Sequence, residues 1–312
     1  MDFESTSDHR SSPIKAPGPE GPLNKIFLNQ AGLRSGWRLL IYSGFVLGLG
    51  FAGGIILPEF VRPHSSGSSL GFWFPYEILS FGAAFGAALI MAQIEHRVPD
   101  VYGLPLRGAF GKLFWQGCLL GLVEVSALVG LIAACGGYSF GNLALHGIVL
   151  LRWGILWAIL FVFVGLFEEF LFRGYTLYTL ADGLGFWPAA IILSLLFGRV
   201  HLSNRGENWM GAAGVVVIGL VFAFALRRTG NLWLAVGWHA SFDFGETFLF
   251  SVPNSGLTFE NHLSNASLQG PRWLTGGSVG PEASAFSFLT MGILALVIHF
   301  LYPARKADPA QG

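Results

Sequence analysis

Charge is what this sequence has least of. Only 12% of its 312 residues are Asp, Glu, Lys or Arg, about half the ~25% usual for a soluble domain, which argues against a surface built to face water on all sides. Eighteen basic and 18 acidic residues cancel to a formal net charge of zero. No basic field is therefore present to hold a phosphate backbone by counterion release, and nucleic acid is not an expected partner. Cysteine is nearly absent: Cys118 and Cys135 fall in one apolar run, about 25 Å apart along a helix. They cannot bridge each other within it and form no metal-ligand spacing. Segments of about ten residues with alternating polarity are also missing, which argues against a transmembrane barrel.

What the sequence has in quantity is apolar length. Hydrophobic residues make up 53% of it, the mean hydropathy is +0.59, and runs of roughly 17 to 25 apolar residues, enough to cross a hydrocarbon core, recur along most of the chain. Eight spans are expected, at about 37–57, 70–93, 113–135, 150–181, 187–202, 211–226, 231–250 and 285–302. The expected fold is an all-α polytopic membrane bundle of about eight transmembrane helices, in the cell membrane with the lipid bilayer around it. Residues 1–30, rich in Pro, Ser and Gly, read as a disordered cytoplasmic tail. The first apolar run is long enough to span and is followed by others, so it reads as a helix rather than a signal peptide. Residues 31–306 then form one membrane domain and 307–312 a short C-terminal tail.

Thirteen of the 18 Lys and Arg residues fall on the side of the N-terminus, against five (Arg62, Arg152, Arg199, Arg205 and Arg272) on the other. The positive-inside rule puts both termini in the cytoplasm and the long segment 251–284 outside.

An ionised side chain at mid-membrane costs about 2.5 to 3.5 kcal/mol on insertion scales, so intramembrane charges need partners or a purpose. This chain concentrates them in three spans. The fourth contains Glu168, Glu169 and Arg173, the fifth Phe197, Arg199 and His201, and the seventh His239 and Asp243. Glu169 and Arg173 stand four apart, the spacing of a helical ion pair, as do His239 and Asp243. Glu168 lies about 100° around the helix from Glu169 and is free to face a different cavity.

Helical rise allows depth to be compared. If the fourth helix runs on to Ala181, Glu168 lies roughly 20 Å from its inner end, and His201 lies about 21 Å from the start of the fifth helix at Trp187. The turn at Asp182, Gly183, Leu184 and Gly185 joins the two on one side. His239 and Asp243 stand about 12 and 18 Å above the start of the seventh helix on that same side. All four groups are expected to meet in one pocket, and a carboxylate with imidazoles is what activating a water against an amide requires.

With these residues in this order, the chain resembles the CAAX protease and bacteriocin-processing family, also called the abortive-infection family, of eight-helix intramembrane proteases. That family's pattern is EExxxR, then FxxxH, then HxxxN or HxxxD, matched here by Glu168, Glu169 and Arg173, by Phe197 and His201, and by His239 and Asp243. The resemblance covers about 150–250. It implies that Glu168 polarises the attacking water with help from His201. It also implies that His239 and Asp243 stabilise the oxyanion or position the substrate, and that Glu169 with Arg173 braces the site. A zinc ion on Glu168, His201 and His239 would suit that donor set, but no HExxH pair is present, so metal-independent catalysis is expected with zinc as the alternative. Arg199 stands where the family leads one to expect a small or apolar residue, and is read as facing a polar vestibule or pairing with Glu207.

Each of these groups also has a plainer use. Glu169 and Arg173 can be a structural ion pair, Glu168 with His201 a satisfied polar contact, His239 with Asp243 a packing hydrogen bond, and Phe197 ordinary core. Glu77 and Glu124, intramembrane carboxylates with no partner at fixed spacing, are read as structural, and His146 and His299 as interfacial or packed. The 43 glycines are read as permitting close helix approach. The stretch Trp273–Gly280 is read as a lid over the site or as a surface loop.

The expected activity is hydrolysis of a peptide bond in a membrane-associated protein or peptide; eukaryotic members of the family remove the last three residues of prenylated CAAX proteins. A non-proteolytic scaffold or immunity protein using the same pocket to bind a partner or peptide is the alternative. A proton-coupled transporter is a third, disfavoured because the internal hydropathy repeat common in transporters is missing. Nothing in the sequence specifies an oligomeric state.

Overall fold

A computed structural model describes residues 26–29, 32–56 and 70–303. The expected tails at 1–30 and 307–312 lie outside the described residues, apart from 26–29.

Helices occupy all eight expected spans. They are α1 (Ser35–Ile56), α2 (Leu70–Ile94), α3 (Lys112–Ala134), α4 (Gly147–Arg173), α5 (Tyr175–Leu184), α6 (Phe186–His201), α7 (Trp209–Thr229), α8 (Trp233–Phe244, continued by a wide turn Gly245–Leu249) and α9 (Ala285–Leu301). Five stretches, 35–55, 70–94, 112–134, 147–184 and 209–229, are long and apolar enough to cross a membrane, and α6 and α9 are shorter apolar helices. Helix is the form that satisfies every backbone group from within one segment in lipid. Strands among the described residues are limited to two antiparallel pairs of two residues each, Leu28–Asn29 with Gly32–Leu33 and Tyr138–Ser139 with Ser267–Leu268. The chain is thus a multi-pass, all-α membrane bundle.

One expectation needs correction. The fourth span is not a continuous helix to Ala181: the backbone leaves helical geometry at Gly174 (φ −81°, ψ −118°) and α5 starts afresh at Tyr175. The reason is a close approach that only glycine permits, because a Cβ on Gly174 would collide with the Phe170 carbonyl oxygen. Helix ends elsewhere follow local chemistry. The Asn208 side chain accepts hydrogen bonds from the backbone N–H groups of Met210 and Gly211 to start α7, and Gly230, at φ 66°, ends it in the left-handed region.

Helix α8 is the centre of the bundle. Leu232 to Val236 and Trp238 are all buried, so the helix presents no lipid face, as expected of one packed on every side. Its closest neighbour is α3, and the contact is backbone to backbone. A Cβ on Gly117 would strike the Leu234 carbonyl, one on Gly121 the Trp238 carbonyl, and one on Gly237 the Phe114 carbonyl. Small residues supply such contacts where lipid provides no hydrophobic driving force between helices. Glu124 on α3 then ties three helices together, accepting hydrogen bonds from Trp238 Nε1 at 2.6 Å and Thr290 Oγ1 at 3.4 Å.

The two ends of the bundle differ. At one, Arg38 on α1 bridges Glu95 at 2.6 Å and Asp182 at 2.7 Å, clamping α1, the end of α2 and the last turn of α5. At the other, the loops 135–146, 202–208 and 250–284 are hydrogen-bonded to one another, through Asn265 N–H to Asn142 O and Gly206 N–H to Gly256 O.

Gly237→Val should destabilise the purified protein by about 1–3 kcal/mol or more, the usual cost of overpacking. Gly130→Ala, at a position with open space around it, should be near neutral; thermal unfolding of both in one detergent checks the pair.

Candidate active site

The two adjacent glutamates of α4 point into different surroundings. The Glu169 side chain is fully buried while that of Glu168 is 23% exposed to a cavity. Glu169 Oε1 accepts hydrogen bonds from Arg173 Nη1 at 3.2 Å and from His239 Nδ1 at 2.9 Å. The Arg173 guanidinium sits 4.3 Å from the centroid of the Phe197 ring, and Gly219 on α7 leaves room for it: a Cβ there would stand 2.5 Å from Nη2. Four helices therefore hold the brace behind His239.

Because Nδ1 of His239 donates to Glu169, its Nε2 is the atom turned towards the cavity. It lies 3.6 Å from Glu168 Oε2 and 3.5 Å from Asp243 Oδ2. His201 is oriented in the same manner by a different partner. Its Nδ1 donates to the Phe197 carbonyl at 2.9 Å, Phe197 packs edge-on against the ring at 4.6 Å, and Nε2 lies 4.0 Å from Glu168 Oε2. Each imidazole has one nitrogen fixed by the protein and the other free for chemistry. Among the described residues Glu168 Oε2 has no hydrogen-bond partner, and separations of 3.6 to 4.0 Å suit bridging by water rather than direct hydrogen bonds.

These groups line a cavity of about 330 Å³ between α2, α4, α6 and α8. Its roof is the start of the 250–284 loop, through Asn254, Ser255, Leu257 and Phe259. The roof is clamped from two directions. Asn204 Nδ2 donates to Ser255 O at 2.8 Å, and Glu282 accepts from the Ser255 N–H and, at 3.4 Å, from its hydroxyl.

Glu168, His201, His239 and Asp243 are thus brought together around one cavity, with Glu169, Arg173 and Phe197 behind them. Three expectations change. Arg199 is exposed on α6 and makes no ion pair with Glu207 among the described residues; it points away from the cavity, whereas Glu207 instead accepts the Asn208 N–H. The part of the outer loop that covers the site is 254–259 rather than Trp273–Gly280, which packs alongside through Ser278 Oγ to Gly206 O and Gly256 N–H to Val279 O. Glu77 is not a structural carboxylate in the manner of Glu124: it lines the cavity itself. His146 precedes α4 at the loop end, while His299 meets Arg228 through Nδ1 at 2.5 Å.

Donors in a tetrahedral zinc site stand about 3.3 Å apart, from metal bonds of about 2.0 Å. The 4.0 Å between Glu168 and His201 is wider, and among the described residues no group of three His, Cys, Asp or Glu side chains is arranged to hold a metal ion. The residues as placed do not fit one.

Burial, reinforced by the nearby charges of Glu207 and Asp243, pushes the Glu282 carboxyl up to about 8. A carboxyl whose folded value lies above its unfolded value, near 4.5, binds more protons folded than unfolded between the two, so its contribution to stability falls as pH rises through that window. Glu282→Gln should therefore flatten the decline in melting temperature between about pH 5 and 8. A variant with the wild-type slope would place Glu282 outside this linkage.

A comparison of the whole sequence with curated proteins finds no match. Residues 150–245 match the model of the family described as Rce1-like, type II CAAX prenyl endopeptidase Rce1-like, a stretch that runs from the start of α4 to the end of α8 and contains every residue of the brace and of the catalytic candidates. The chain therefore carries an Rce1-like domain across three of the four helices that build this cavity, α4, α6 and α8, consistent with the CAAX protease and bacteriocin-processing family.

Proposed function

We propose that the protein is an intramembrane endopeptidase in which Glu168 activates water against a peptide bond. The observation that carries this reading is the convergence of Glu168 Oε2, His201 Nε2 and His239 Nε2, from three helices, on one wall of a cavity.

Water held by Glu168 and His201 gives a proton to the Glu168 carboxylate as its oxygen attacks the scissile carbonyl. The His201 ring, fixed by the Phe197 carbonyl, presents an Nε2 lone pair that orients this water. The tetrahedral intermediate places a negative charge on the former carbonyl oxygen. His239 receives that oxygen: with Nδ1 donating to Glu169, Nε2 donates as the imidazolium, whose charge is balanced by the Glu169 and Asp243 carboxylates at 2.9 and 3.5 Å once Glu168 has taken the proton. Asp243 positions the ring and accepts from a substrate backbone N–H. Glu168 then passes its proton to the amide nitrogen, the C–N bond breaks, and a new carboxylate and amine leave. No step requires a metal. Both termini are assigned to the cytoplasm from the balance of Lys and Arg, which turns the roofed end of the cavity outward. A membrane-impermeant maleimide should then label a cysteine placed at Ser267 in intact cells.

Loss of a general base typically costs 10²–10⁴ in rate, so Glu168→Gln should lower hydrolysis of a membrane-embedded fluorogenic peptide by about that factor. The melting temperature should barely change, because Glu168 Oε2 has no hydrogen bond to lose. Wild type should keep its activity after incubation with 1,10-phenanthroline. Undiminished turnover by the Glu168→Gln protein would overturn the assignment, and activity lost to the chelator and restored by zinc would overturn its metal-free form.

A further inference from the structure

Among the described residues, Glu77 is the one cavity carboxylate that this mechanism leaves unused. It lies on α2 in the cavity wall, with a relative exposure of 4%, and its Oε2 is buried without a hydrogen-bond partner among the described residues. Glu124 shows what a structural carboxylate looks like in this bundle, with both oxygens accepting hydrogen from neighbouring helices. Among the described residues Glu77 Oε2 accepts no such bond, although Glu77 stands within electrostatic reach of Glu168, His239 and Asp243. An ionised carboxylate at a lipid-sheltered wall calls for a cationic partner.

The surroundings of Glu77 have the chemistry to receive one. Trp73 and Tyr76, one turn and one residue earlier on α2, line the same cavity, as does Phe259 of the roof. The Trp73 ring lies 5.8 Å from Tyr76 and 6.3 Å from Phe259, each edge to face. Aromatic faces beside a carboxylate are the usual receptor for an ammonium or guanidinium group. The cavity as a whole has the same bias. Among the described residues its lining includes the carboxylates Glu77, Glu168 and Asp243 and two imidazoles, with no lysine or arginine. A substrate carboxylate would find repulsion there, and a substrate cation would find a partner.

We propose that Glu77, with Trp73, Tyr76 and Phe259, forms a subsite for a lysine or arginine side chain of the substrate, a residue or two from the scissile bond. This deepens the endopeptidase reading and rests on it. A basic side chain suits the site in two respects: its apolar stem packs on the rings, and its charge ends the isolation of the Glu77 carboxylate. Glu77 acts here as a specificity determinant, separate from the groups that move protons.

The test compares three membrane-embedded peptides that differ only in Lys, Gln or Glu beside the scissile bond, in vesicles of phosphatidylglycerol so that no lipid ammonium competes. Wild type should cleave the Lys peptide with a kcat/KM at least about tenfold above the Gln peptide, and the Glu peptide most slowly. Glu77→Gln should bring the Lys-to-Gln ratio to within about threefold of unity, and Glu77→Lys should reverse the order in favour of the Glu peptide. Each readout is a ratio within one protein, so a uniform loss of activity in a variant does not move it. Equal cleavage of Lys and Gln peptides by wild type overturns the subsite while leaving the endopeptidase standing. If wild type cleaves none of them, dissociation constants decide: Glu77-dependent preference for the Lys peptide keeps the subsite and overturns the hydrolase, and equal affinities overturn both.

Discussion

The buried Glu169 carboxylate is the interaction on which the site depends. It is sealed from the cavity and holds a guanidinium on its own helix and an imidazole on another. Removing one partner from such a pair leaves an uncompensated charge in the interior and costs about 3–5 kcal/mol, so the contact fixes the relation of α4 to α8 as well as the direction of His239. Close approach of those two helices is a precondition. Gly165 permits it: a Cβ at that position would press on the Val236 carbonyl at 3.0 Å. With α8 held in place, Nε2 of His239 faces Glu168 and Asp243, and His201 completes the arrangement from α6.

Much of this was legible in the sequence because two simple regularities held. Long apolar runs in lipid have one backbone solution, so the spans could be drawn to within a few residues. Helical rise then put Glu168 and His201 at similar depth and His239 and Asp243 within about 9 Å of it, and although the fourth helix breaks at Gly174, the structure brings their side chains within 4.0 Å of one another in a chain of contacts. The features that escaped were those without periodicity. The break at Gly174 depends on how closely the backbone returns to Phe170, which no pattern of residue types encodes. The roof residues Asn254 to Phe259 lie in a long loop whose path is set by distant partners, Asn204 and Glu282. Glu77 was visible as an intramembrane acid, but only its placement on the cavity wall distinguishes it from Glu124. Arg199 looked anomalous beside His201 because adjacent letters on a helix face different ways: two residues turn the side chain by about 200°, enough to put it outside the bundle.

The architecture separates two tasks that a hydrolytic site in lipid must combine. Polar groups that need no access, Glu169 and Arg173, are sealed among helices where they stiffen the frame. Those that need water, Glu168 and the two Nε2 atoms, line a cavity roofed by a loop that is itself hydrogen-bonded on both flanks. Low dielectric around such a site strengthens each electrostatic contact and keeps bulk water from competing, provided the frame is rigid before substrate arrives.

The central claim is that water, directed by Glu168, becomes part of the peptide product. A single-turnover reaction in ¹⁸O-enriched water followed by mass spectrometry reads this directly. The account predicts one heavy oxygen in the new peptide carboxylate and none in the protein; heavy oxygen in the Glu168 side chain, marking a covalent acyl intermediate, would contradict it.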